Sequence, residues 1–198
     1  MSDKSLEKRK LILKTARQVF AEKGYKNVTM KDIVEACEIS RGGLYLYFEN
    51  TSQLFREVLK MESEDTEDDV FAQAVSDNMT SADILALFLK EQKKELLRKK
   101  GNLTMAIYEY YFAQQVPKKD NVLRRQFDAA VRIIEKLIAD GTESGEFVCD
   151  DPRGAARNIM YVLEGLKITG QTIGVTEEMI NHEILYIMQG LVADDEEA

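Results

Sequence analysis

The sequence predicts an all-α protein in two parts, a short N-terminal module of three helices followed by a longer helical body. Three observations predict it. The 198 residues contain only two prolines, Pro117 and Pro152, and apolar residues recur at three- and four-residue intervals rather than alternating, which is the period of helices and not of strands. The apolar fraction, 44% with eight Phe and eight Tyr, is that of a chain able to bury a core. Charge then divides the chain: residues 1–60 hold 12 Lys and Arg against 8 Asp and Glu, net +4, while the other 138 hold 15 against 27, net −12. A basic module carried by an acidic body suits an anionic partner.

The first helix places Ile12, Leu13, Ala16, Val19 and Phe20 on one face and stops at Gly24, the residue type that helix C-termini prefer. Thr29 opens "TMKD", where a threonine followed three residues later by Asp32 resembles a capping box. Ile33, Val34 and Cys37 supply the apolar face of this second helix. Ser40 offers a fresh N-cap to a third short helix, in which Leu44 and Phe48 face inward. A fourth helix begins near Thr51 and carries Leu54, Phe55, Val58 and Leu59. It runs into "ESEDTEDD" at 62–69, eight residues without an apolar side chain. That run reads as the solvated stretch of a connecting helix and marks where the compact parts divide. Functional domains are set at 1–50 and 51–198.

Long helical blocks follow over about 81–100, 102–115, 119–144, 153–173 and 176–193, each with helical apolar spacing. Pro152 suits the opening turn of the fourth of these. The last two blocks are apolar over more than one stripe, so they need cover from outside as well as inside. A second copy of the chain is the economical cover, since most soluble oligomers are symmetric dimers. Ile159, Leu163, Leu166, Ile180, Ile184, Ile187 and Leu191 are the candidate dimer-interface residues.

The segment "SRGGLYLYF" at 40–48 carries the functional reading. Two glycines cost about 1 kcal/mol each in a helix interior relative to alanine, so their presence needs a reason. Three short helices, the last two meeting at a tight turn, outline a helix-turn-helix unit, whose recognition helix enters the major groove of DNA by its N-terminal end. Gly42 and Gly43 then remove side chains where the backbone approaches the duplex. Arg41 can reach base edges or phosphate, with guanine its commonest bidentate partner. Ser40 and Thr29 present hydroxyls and free backbone N–H groups to phosphates, and Tyr45 and Tyr47 present phenolic hydroxyls.

These residues resemble the DNA-binding domain of TetR-family transcriptional regulators. The resemblance covers "ILKTARQVFAEKGYKNVTMKDIVEACEISRGGLYLYFENTSQLF", about a quarter of the chain. It rests on Ala16, Phe20, Gly24 and Tyr25, the Thr29 cap, Ile33, Ala36, Ser40, the small residue before Leu44-Tyr45, and Tyr47-Phe48. It implies a ligand-responsive regulator, usually a repressor, acting as a homodimer on a pseudo-palindromic double-stranded DNA operator. By that likeness the DNA contacts fall on Thr29, Lys31, Ser40, Arg41, Gly42, Gly43, Tyr45, Leu46, Tyr47 and Thr51. Two positions depart from the family pattern. Glu38 stands where the family commonly has a glycine in the turn, and Thr51 where it often has a lysine at the start of the fourth helix. A helical dimeric interaction protein with weakened or lost DNA binding is the alternative these departures keep open.

The small-molecule ligand is unidentified. Its candidate contacts are the aromatic run 105–115, with Met105, Tyr108, Tyr111 and Phe112, and Phe88, Phe127 and Tyr161 from neighbouring blocks. Aromatic faces suit a flat or cationic compound. No catalytic residue, metal site or cofactor is expected. The sole histidine, His182, has no nucleophile or metal-ligand spacing around it, and Cys37 and Cys149 form no CxxC pair. No apolar run approaches the roughly 18 residues that span a bilayer, so no membrane partner and a cytoplasmic location are expected.

Overall fold

The computed structural model describes residues 3–66, 79–98 and 101–192. Among them are the α-helices α1 (Asp3–Lys23), α2 (Met30–Ala36), α3 (Arg41–Tyr45), α4 (Thr51–Thr66), α5 (Ser81–Leu97), α6 (Thr104–Ala113), α7 (Val122–Glu143), α8 (Pro152–Thr172) and α9 (Glu177–Gln189). A single 3-10 turn, Lys118–Asp120, precedes α7, and no described residue is in a strand. The fold class is all-α, as the apolar spacing predicts. The chain forms two compact units, one of Met1–Glu67 with Lys99–Val122 and the other of Asp68–Arg98 with Leu123–Ala198.

The first unit is built on α1, against which α2, α4 and α6 pack. The α1 stripe read from sequence is its buried face: Ile12, Leu13, Ala16, Val19 and Phe20. Gly24 ends the helix with φ +76°, its N–H donating to the Phe20 carbonyl at 2.9 Å. A side chain there would be strained and would also run into the Glu109 carboxylate. The centre of the unit is an aromatic cluster. Phe55 lies 4.7 Å from Phe20, 5.3 Å from Tyr25 and 5.2 Å from Tyr110 between ring centroids. Tyr110 comes from α6, so the 101–116 segment completes the core of the N-terminal module. Polar contacts repeat the attachment: Arg17 reaches Glu62 and the Gly101 carbonyl, the Lys26 N–H donates to Glu109 at 3.0 Å, and the Gln114 amide donates to the Tyr25 hydroxyl at 3.2 Å.

This grouping differs from a boundary at residue 50. Leu54, Phe55, Val58 and Leu59 of α4 are all buried in the same core as α1, because the three short helices alone leave that face of α1 uncovered. Residues 62–66 of the acidic run continue α4, while 67–69 lie outside the described residues.

In the second unit α5, α7, α8 and α9 surround Leu85, Leu89, Ile134, Ile138, Ala156 and Leu163, with Phe147 from the loop after α7. The helix starts are locally encoded. Thr80 and Asp83 form a capping box on α5, Asp151 caps α8 with Pro152 as its first residue, and Thr176 caps α9. Gly141 lies against the Phe147 ring, where even a methyl would overlap it.

Candidate functional site

The turn between α2 and α3 and the start of α4 form the site. α2 is held by the Thr29–Asp32 capping box: the Thr29 N–H donates to Asp32 at 2.8 Å and the Asp32 N–H to the Thr29 hydroxyl at 3.3 Å. Hydrogen bonding from Lys23, then from the Thr29 hydroxyl and N–H, holds the Asp32 carboxyl well below the usual carboxylate range. Burial pushes the Cys37 thiol at the end of α2 upward. The turn passes through Glu38 at φ +53°, the one non-glycine residue in the left-handed region among those described. That conformation costs an L-residue about 1–2 kcal/mol, and it falls at the position where the resemblance expects glycine.

Ser40 then caps α3, its hydroxyl accepting the Gly43 N–H at 3.1 Å. Leu44 is fully buried and Phe48 almost so, and these two side chains anchor α3 to the core while Arg41, Gly42, Tyr45 and Leu46 stay exposed. Of Tyr45 and Leu46, the leucine is the more exposed, at 83%. The Arg41 guanidinium lies over the Tyr45 ring, 5.5 Å from its centroid.

The two glycines differ. A β-carbon on Gly43 would sit 3.1 Å from the Ser40 hydroxyl, so its size serves the cap. A β-carbon on Gly42 would meet nothing within 4 Å beyond its chain neighbours and the backbone of its own helix, so no packing inside the protein requires a glycine there.

Five of the ten expected DNA-contacting residues, Thr29, Lys31, Arg41, Tyr45 and Thr51, line one open concavity of about 550 Å³ together with Val28, Met30, Val34, Glu49 and Asn50. Ser40, Gly42, Gly43, Leu46 and Tyr47 lie outside that lining. Of the hydroxyls expected to face phosphate, that of Thr29 already donates to Asp32, whereas that of Tyr47 accepts from Ser5 at 3.3 Å and keeps its own proton to donate. Sequence reasoning passes over Glu49 and Asn50. Asn50 caps α4 by accepting the Gln53 N–H at 2.8 Å, while the Glu49 N–H donates to Gln53 at 2.6 Å. The Asn-x-x-Gln spacing is the local signal that marks this cap.

The other expected sites differ in exposure. Ile159, Leu163, Ile180, Ile187 and Leu191 are buried within a single protomer, and Leu166 and Ile184 are half-buried. A broad apolar arc cannot say which part of it faces inward, and the outward part carries Ile168, Leu185 and Tyr186 instead. The expected ligand contacts come from both compact units. Met105, Tyr108, Tyr111 and Phe112 belong to the first unit, and Phe88, Phe127 and Tyr161 to the second. Phe88 is core, and Phe112 is 80% exposed because α6 turns Ala106 and Tyr110 inward. Phe127 and Tyr161 do meet, at 5.4 Å between centroids. Among the described residues no three His, Cys, Asp or Glu side chains gather to hold a metal, and no helix is long and apolar enough to cross a membrane.

Residues 12–58 match the family model for bacterial regulatory proteins of the tetR family, and residues 84–181 match the model for the tetracyclin repressor-like C-terminal domain. The HTH-type transcriptional regulator YfiR of Bacillus subtilis is 29% identical over 137 residues, 69% of this chain and 66% of that protein. The reduced form of NemR from E. coli superposes with a TM-score of 0.79 at 12% identity, over 96% of this chain and 99% of that one. AibR, solved in complex with isovaleryl coenzyme A and operator DNA, has a TM-score of 0.68 at 18% identity, over 93% and 99% of the two chains. The two matched models lie in chain order on either side of the acidic run. The first takes in the capped α2–α3 pair with its exposed arginine and unfilled Gly42. The chain belongs to the TetR family of bacterial regulatory proteins.

Proposed function

We propose that this chain is a ligand-responsive, DNA-binding transcriptional regulator, a repressor that holds a pseudo-palindromic operator as a homodimer and releases it when a small molecule binds. In this reading residues 1–50, with Thr51 just beyond them, carry the operator contacts and residues 51–198 the ligand site and the dimer contact. The observation that carries it is Gly42: an exposed helical glycine, beside an exposed arginine, for which the folded chain supplies no packing reason. Thr29, Lys31, Arg41, Tyr45 and Thr51 around one concavity add a surface able to follow a phosphate backbone. The two α3 helices of a dimer would enter successive major grooves about 34–36 Å apart. The exposed apolar residues of α8 and α9 support pairing through that face. The Phe127–Tyr161 pair, open to solvent at Tyr161, is the aromatic surface this reading keeps for a ligand. A ligand that moves the DNA-competent population from 99:1 to 1:99 must prefer the released state by about 5.5 kcal/mol. No catalytic group or cofactor takes part, and the protein works in the cytoplasm beside its DNA.

Arg41→Ala tests the operator contact. If Arg41 reads a base, affinity for the bound duplex falls by about 1–3 kcal/mol and preference is lost at one position of each half-site. Unchanged affinity at fixed salt removes that role. A wild-type protein that binds no duplex while remaining a dimer favours the interaction-protein reading, in which Glu38 and Thr51 mark the loss.

A further inference from the structure

Of the stripe of α1 beside the 40–48 segment, only Ser5 enters the site contacts described so far. Ser5, Lys8 and Ile12 share one stripe of the first turns of α1, and two of them reach the segment 43–47. The Ser5 hydroxyl donates to the Tyr47 hydroxyl at 3.3 Å, the Lys8 ammonium comes within 3.7 Å of where a Gly43 β-carbon would stand, and Ile12, the next residue of the stripe, is buried. The neighbouring cation is committed elsewhere: Arg9 is bonded to Glu57 and lies 5.4 Å from the Phe48 ring centroid. Lys8 differs. It is exposed, and among the described residues it takes part in no ion pair.

We propose that Lys8 is a phosphate-binding residue, extending the DNA interface from α2, α3 and α4 onto α1. The proposal rests on the operator reading above. Lys8 lies outside the concavity lined by Thr29, Lys31, Arg41, Tyr45 and Thr51, so it adds a contact at Gly43 that those residues do not make. Gly43 has no side chain to stand between that ammonium and a phosphate approaching α3. Lysine suits the task as a compact charge on a flexible stem, positioning the duplex without reading its sequence. The Ser5–Tyr47 bond and the buried Ile12 hold the backbone that carries it. The basic character of residues 1–60 thereby gains a specific use: one charge of α1 is tied to a glutamate for the fold, and its neighbour is left for DNA.

The test is a salt titration of full-length dimer on a duplex selected by the wild-type protein, with a random duplex of equal length alongside. Each phosphate contact contributes about 0.9 to the slope of log affinity against log salt, about 1.8 for the two Lys8 copies of a dimer, so a fourfold rise in salt costs the wild type about 12-fold more affinity than it costs Lys8→Gln. The loss falls equally on both duplexes, Lys8→Arg restores the wild-type slope, and Lys14→Gln, an exposed α1 lysine off this stripe, matches the wild type. Thermal melts show whether Lys8→Gln keeps the fold. Lys8→Gln with a wild-type slope, beside an Arg41→Ala that binds weakly, overturns the Lys8 contact alone. Wild-type protein that binds neither duplex overturns it together with the operator reading.

Discussion

Replacing Gly42 by alanine should make the protein more stable and a poorer DNA binder. The structure supplies both signs. Gly42 lies in α3 without positive φ, and its β-carbon position is open space to 4 Å, so alanine brings neither strain nor overlap. What remains is propensity and unfolded-chain entropy, which favour alanine by about 0.5–1 kcal/mol. Near the melting midpoint this is a rise of about 1–4 °C for a chain of this size. Binding should move the other way. A methyl group on the exposed N-terminal turn of a recognition helix holds the backbone off the groove, a penalty comparable to one mismatched base pair, about 1–3 kcal/mol for each half-site. Urea and thermal unfolding give the first quantity, and fluorescence anisotropy on a fixed duplex at fixed salt gives the second. Gly141→Ala is the internal contrast, since overlap with Phe147 costs about 1–3 kcal/mol of stability. A Gly42→Ala protein that is stabilised and binds the duplex as tightly as wild type would refute the reasoning, because Gly42 would then serve neither fold nor contact.

Further outcomes follow from the cap and from the outer face of the last helices. Asp32→Ala removes the α2 capping box and should cost about 1 kcal/mol at neutral pH in urea unfolding. Because its native pKa is depressed from 3.8, the Asp32 contribution is complete above that unfolded-state value and is lost as the pH falls toward the depressed one. The gap between wild type and Asp32→Ala should therefore close on acidification below about pH 4; a gap independent of pH would remove the carboxylate from the account. Leu185→Glu, on an outward position 50% exposed in the protomer, should yield a folded monomer by sedimentation, whereas an intact dimer would place the contact elsewhere.

Local chemistry makes much of the N-terminal module legible. Thr29 with Asp32, Ser40, Gly24 and Pro152 each act within one helical turn, so a residue and its neighbour three or four positions away suffice to place a helix end. The inward pair Leu44 and Phe48 follows from spacing alone. Even the strain at Glu38 can be read from sequence once the turn is placed, because the backbone there needs a conformation that glycine adopts freely. Legibility fails where a partner lies far along the chain. Tyr110 joins Phe55 and Tyr25 across an interval of more than fifty residues, so nothing near Tyr110 distinguishes it from Tyr108 or Tyr111. The same holds for α8 and α9. When most of a helix circumference is apolar, periodicity cannot separate the side facing its own core from the side facing outward, so Ile159, Leu163 and Ile187, buried in the protomer, look no different in sequence from the exposed Leu185. Asn50 escapes for a different reason: its cap is local, but Thr51 offers an equally good start one residue later.

Selection of bound duplexes from a random DNA pool tests the central claim most directly, that α3 is an exposed reading helix presented twice by a dimer. The account predicts enrichment of a pseudo-palindrome whose half-sites are centred about one helical turn apart, with a guanine position that vanishes when the selection is repeated with Arg41→Ala. A pool that stays random at low salt, with the dimer intact, would contradict it.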